Sequence, residues 1–130
     1  MTGELPTPRV PIVPEDLIEV AIQRHDTTLV LARVAGELDM ATAGLVGTQL
    51  ALALDLTAEV LVVDLIGVTF FGSAGLSVLL RLREQCARRQ VELRLVALQR
   101  VIWPMTIGGV NQLFRIHTTV RGALDPTNVY

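Results

Sequence analysis

The sequence predicts one α/β domain built on a mixed sheet of four to five strands, with about four helices packed against it. Three observations lead there. The run Glu59–Leu65, EVLVVDL, is nearly all β-branched or leucine, the pattern of a strand buried on both faces and hence of helices lying on a sheet. Two earlier runs, LIEVAIQR and TLVLARVAG, are β-rich, and the polar HDTT between them makes an antiparallel hairpin. The stretches that follow, from Met40 and from Ser73, change to helical spacing.

Element by element, the folded part begins near Asp16, where Ile18, Val20 and Ile22 share one face of the first strand. Gly36-Glu-Leu-Asp39 ends the second strand, and Asp39 is expected to cap the next helix. That helix, roughly Met40 to Leu54, carries no charge. Val46, Leu50 and Ala53 can face the sheet, while Leu45, Thr48 and Leu52 fall on other sides and need a neighbouring helix or a partner to cover them. After Glu59–Leu65 comes Ser73, then a helix to about Arg89. Leu76, Leu79, Leu80, Leu82, Cys86 and Ala87 make its apolar arc, opposite Ser77, Arg81, Glu84 and Arg88. Val91–Leu98 is a further strand. Arg100–Ile107 is a short helix that Pro104 restarts or kinks and Gly108-Gly109 stop. LFRIHTTVRGAL supplies a last short strand and helix.

Composition narrows the function. In 130 residues, 51% hydrophobic and 18% charged, there is room for one cored domain and no case for disorder across the chain. A net charge of −2 gives no general attraction to nucleic acid or to an anionic membrane, and neither is expected as a partner. All eleven basic residues are arginine, which reads as GC-rich, bacterial coding. Four of the six prolines fall in residues 1–15, expected to be a flexible tail; residues 126–130 are expected to be a second one, with the domain at 16–125. The opening MTGELPTPRVPIVPED has neither the basic nor the apolar region of a signal peptide, and the single Cys86 fits a reducing compartment, so a cytoplasmic protein is expected.

Most chemistries fail on residue supply. The segment FGSAG resembles the nucleophile elbow of serine hydrolases, yet Phe71 stands where that turn needs glycine, and the only histidines are His25 and His117. One cysteine and two distant histidines make no metal site, and no Walker loop is present, so no cofactor is expected. The arginines at 81, 83, 88 and 89 lack interleaved aromatics and suit a solvated helix end. Ser73 remains. It reads as a helix cap after Gly72, and a serine at that place is also where a phosphoryl group is best tolerated, facing open amides and the positive end of the helix dipole.

Three segments in this order, GELDMATA (Gly36 to Ala43), VVDLIGVTFFGSAGLSVLL (Val62 to Leu80) and GVNQLFRI (Gly109 to Ile116), resemble the STAS domain, in its free-standing form as a bacterial anti-sigma factor antagonist. The likeness covers roughly Asp16 to Leu124. It implies a non-enzymatic partner switch. The unmodified antagonist binds an anti-sigma factor that is a serine kinase of the GHKL type and frees a sigma factor; phosphorylation of the serine breaks the complex. On this resemblance Ser73 is the phosphoacceptor, and Asp39, Gly72, Ser73, Ala74 and Gly75 form the partner-binding surface, which the start of the uncharged first helix is expected to extend. Where that family usually has Asp before the serine, this chain has Gly72, which removes a negative charge beside the acceptor. A homodimer is left open. A second reading makes the chain a STAS module that binds a small apolar ligand or lipid-transport component, on the footing of the uncharged helix and of Trp103 beside Pro104.

Overall fold

A computed structural model describes residues 17–125. The chain runs through β1 (Ile18–Arg24), β2 (Leu29–Leu38), α1 (Ala43–Asp55), β3 (Val60–Phe71), α2 (Ser73–Arg88), β4 (Glu92–Val96), α3 (Gln99–Ile107), a 3-10 turn at Asn111–Leu113, β5 (Arg115–His117) and α4 (Val120–Leu124). The expected tails at 1–15 and 126–130, and Asp16, lie outside the described residues. The five strands stand in sequence order, β1 antiparallel to β2 and the rest parallel. The mixed sheet with about four helices is thus what the chain forms.

Alternation along the strands sorts the core into two sides. Val30, Ala32 and Val34 of β2, Leu61, Val63 and Leu65 of β3 and Leu95 of β4 join α1, α2 and α3 in one large cluster. Leu29, Leu31, Val62 and Val96, one residue out of phase, meet Ala123 of α4 on the other side. Among the described residues three helices therefore cover one face and one short helix the other. A buried arginine holds that short helix down. Arg94 donates through Nε to Glu92 Oε2 (2.7 Å) and through a terminal nitrogen to the Ala123 carbonyl (2.7 Å), which lies at the end of α4.

Two expected boundaries move. The helix expected from Met40 begins at Ala43, because residues 39–42 form a separate turn, and the strand expected to end at Leu65 continues to Phe71. α1, whose one charged residue is the terminal Asp55, is covered on one flank by α2, with Leu45 packed against the core, while Leu52 stays exposed. Pro104 sits inside α3 without ending it, and Gly109, at φ +74°, takes the left-handed conformation that closes the helix. Cys86 is buried as expected; loss of solvation pushes its thiol up to about 11, against the opposing charge of Arg89. No helix among the described residues is long and apolar enough to cross a membrane.

Candidate functional site

Parallel strands joined by helices deliver their carboxyl ends, and the loops that follow, to one edge of the sheet. Here those loops are the turn after β2 and the Gly72 junction after β3. Gly36 brings them together. Its φ of +116° is open to glycine, and a β-carbon there would lie 2.1 Å from the Leu17 carbonyl oxygen. The β2–β3 register slips by one residue just after it, so that Gly36 pairs with Val68 but Glu37 with Phe70 and Leu38 with Phe71. The Gly72 amide then reaches the Leu38 carbonyl at 3.4 Å.

The turn that carries Asp39 is latched from inside. Thr42, fully buried, donates its hydroxyl to the Glu37 carbonyl (2.6 Å) and accepts from the Asp39 amide (3.1 Å). Asp39 Oδ1 accepts from the amides of Ala41 (2.9 Å) and Thr42 (3.2 Å). The expectation that Asp39 caps α1 is corrected. It closes a turn that precedes the helix, and Thr42 occupies the cap position with no side-chain bond to the amides of α1. Oδ1 is thus bound to its own backbone, which holds Met40 at the tip of the turn, 88% exposed.

The reading of Ser73 as a cap is corrected too. Gly72 is the cap residue, in extended conformation at φ −120° and ψ −163°, and Ser73 is the first helical residue. No side chain caps this helix. The hydroxyl is exposed, and by position the amides of Ser73 and Ala74 have no carbonyl a turn below them, whereas those of Gly75 and Leu76 bond to the Gly72 carbonyl (3.0 and 3.2 Å).

A shallow groove of about 430 Å³ runs beside the serine, lined by Asp39, Met40, Ala41, Phe70, Gly72, Ser73 and Ala74. The structure brings four of the expected site residues into one lining and sets Gly75 beneath it. Gly75 is buried, and a β-carbon there would come 2.6 Å from Phe71 and 3.1 Å from Leu38, so it acts by letting α2 approach the sheet. Two residues were not read as site residues from the sequence: Phe70 and Thr42. For Phe70 a signal existed. Adjacent residues of a strand point to opposite faces, so with Phe71 in the core Phe70 must leave it, and it is 53% exposed.

The histidines lie elsewhere. His25 is in the hairpin turn, at the opposite end of β2 from Asp39. His117 pairs with Val96 on the far side of β4; burial, then the nearby Arg94 and Arg115, hold its pKa below the ordinary histidine range. Neither stands beside Ser73 as a triad would need. Among the described residues no group of three or more His, Cys, Asp or Glu could hold a metal ion.

A sheet with helices mainly on one face, and a serine presented at a helix start on its rim, defines a small α/β recognition domain. The chain belongs to the STAS domain family, which matches residues 19–123. It is 31% identical over 113 residues, 85% of this chain and 88% of the relative, to the anti-sigma-F factor antagonist RsfA of Mycobacterium tuberculosis. The crystal structure of an anti-sigma factor antagonist from Mycobacterium paratuberculosis superposes with a TM-score of 0.73 at 26% identity, covering 84% of this chain and 92% of the other. The Bacillus cell fate determinant SpoIIAA in its phosphorylated form gives 0.63 at 15% identity, over 82% and 97% of the two chains, a likeness of fold.

Proposed function

We propose that this chain is an anti-sigma factor antagonist that works by partner switching. Unmodified, it docks through the rim around Ser73 onto an anti-sigma factor of the GHKL serine kinase type, and the sigma factor is released into the cytoplasm. The kinase then transfers the terminal phosphoryl group of ATP to Ser73 Oγ. The new O–P bond replaces the one to ADP, and the hydroxyl proton leaves to a base. In this exchange the chain is ligand and substrate, and the catalyst is its partner.

One observation carries the reading: the Ser73 hydroxyl is exposed at the first position of α2, engaged in no cap, on the same groove as the Asp39 turn. Phosphorylation there adds roughly −1.5 to −2 charges. The open amides and dipole of α2 receive that charge, so the domain stays folded. A partner packed over the rim has to desolvate it, at a cost of several kcal/mol, and each ~1.4 kcal/mol is tenfold in affinity. Position 72 has space for a side chain that this chain does not carry. A β-carbon there would lie 3.3 Å from the edge of the exposed Phe70 ring, which has room to yield.

The test is titration of purified GHKL-type anti-sigma factors from the same genome with wild-type chain, Ser73→Ala and Ser73→Asp. Binding by the wild type and the alanine variant, with the aspartate variant weaker by tenfold or more, is the expected result, together with ATP-dependent phosphate incorporation at Ser73. Equal binding by the two variants would sink the switch.

A further inference from the structure

The groove beside Ser73 is one of two exposed apolar areas near the start of α2. On one side stand Met40 and Phe70. On the other, Leu76 lies one turn after Ser73 on the same face of α2, and a β-carbon at Gly108 would come 3.3 Å from Leu76 Cδ1. The end of α3 therefore abuts the first turn of α2. Just before that contact, Ile107 and Trp103, four residues apart and so on one face of α3, are 69% and 61% exposed. Trp103 is the only tryptophan of the chain. None of the side chains lining the groove is cationic, and its one carboxylate, Asp39, is bonded to its own turn.

We infer that the anti-sigma partner closes over both areas at once, with Met40 and Phe70 as one apolar anchor and Trp103 and Ile107 of α3 as the other, leaving Ser73 near the centre of a dry contact. This rests on the reading of Ser73 as the docking site and names what surrounds it. The end of α3 meets α2 one turn after Ser73, so a partner seated on that serine lies within reach of α3. The occupant fits on chemistry as well: exposed tryptophan with neighbouring aliphatics is the make-up of binding hot spots, which lie at the centre of contacts and are ringed by residues that exclude water. The phosphoryl group then acts by bringing a hydrated dianion into an apolar contact with no cation in the groove to receive it, rather than by breaking an ion pair.

The experiment uses the full chain and whichever purified anti-sigma factor binds the wild type. Trp103→Ala and the pair Met40→Ala/Phe70→Ala are each expected to weaken binding at least tenfold, with melting temperatures near that of the wild type because all three side chains are exposed. Binding should change less than threefold between 0.05 and 0.5 M NaCl. In wild-type chain labelled with 5-fluorotryptophan, the single fluorine resonance should shift on adding the partner and stay put on adding it to the Ser73→Asp variant. If the wild type binds in a Ser73-dependent way while Trp103→Ala binds within twofold and the resonance does not move, the α3 anchor is wrong and the switch stands. If affinity falls steeply with salt, the contact is ionic and the inference fails. If the wild type alone runs as a dimer that Trp103→Ala dissolves, a second copy covers α3 and the inference fails as well. If no anti-sigma factor binds, the functional reading falls and this one with it.

Discussion

Gly75→Ala tests how the fold places the serine. An added β-carbon would stand 2.6 and 2.8 Å from two ring carbons of Phe71 and 3.1 Å from Leu38 Cγ. Both neighbours are buried, so neither can swing into solvent. The first turn of α2 has to retreat by a sizeable fraction of an ångström, or the Phe71 ring has to leave its rotamer. Such overpacking costs about 1–3 kcal/mol, and exchanging glycine for alanine inside a helix returns somewhat under 1 kcal/mol. The net loss is up to about 2 kcal/mol, or up to roughly 8 °C in Tm for a domain of this size. The control is Gly47→Ala within α1, where no atom lies within 4 Å of the new carbon. It should gain about 0.5–1 kcal/mol and raise Tm by a few degrees. Thermal unfolding followed by far-UV circular dichroism reads both. In Gly75→Ala/Phe71→Leu the smaller side chain should return part of the loss, leaving the double variant more stable than the sum of the singles. If Gly75→Ala melts at or above the wild type, the close approach of α2 to the sheet is not what this glycine provides.

Three more outcomes are expected. Thr42→Val leaves the Glu37 carbonyl and the Asp39 amide without their partner in a buried place, for a loss of about 1–3 kcal/mol, measured by urea denaturation; an unchanged midpoint would remove the latch. Arg94→Met should cost about 1–3 kcal/mol at pH 7 by leaving the Ala123 carbonyl unpaired. Its effect also depends on pH. The hydrogen bond from Arg94, then the charges of Arg94 and Arg115, hold the Glu92 carboxyl below its usual range against the opposing effect of burial. A depressed carboxylate stabilises the fold above its unfolded pKa and ceases to do so as pH falls through the folded value. The gap in Tm between wild type and Arg94→Met should therefore narrow below about pH 4, and a constant gap would show the pair contributes nothing. Cys86, buried with its thiol raised to about 11, should resist thiol reagents at pH 8 until the domain unfolds; labelling of the native chain within minutes would contradict its placement in the core.

Much of this molecule is legible in one dimension, because within a strand or helix periodicity says which residues go inside. The valine run of β3, the alternation of β1 and the apolar arc of α2 are local patterns, and they led to an α/β domain with a mixed sheet and a serine at the head of a helix. The arc was read slightly off its true centre, taking in the exposed Ala87 and leaving out the buried Val78. The motif likeness named the family that the whole-chain comparison shows.

What only the tertiary structure decided depends on register and on contacts between segments far apart in the chain. Asp39 looks like a helix cap when α1 is read alone. It closes a turn because Thr42 bonds back to Glu37, which the Gly36 slip has set in place. Ser73 looks like a cap until Gly72 is seen to occupy that position, and this difference leaves its hydroxyl open. Gly75 belongs under the rim because Phe71 and Leu38 converge there from two strands. The end of α3 lies beside the first turn of α2 because Gly108 packs against Leu76, a contact neither helix announces alone. A sequence states which face of its own element each side chain prefers; which elements share an edge, and so which side chains a partner meets together, is settled by non-local pairing that no single segment encodes.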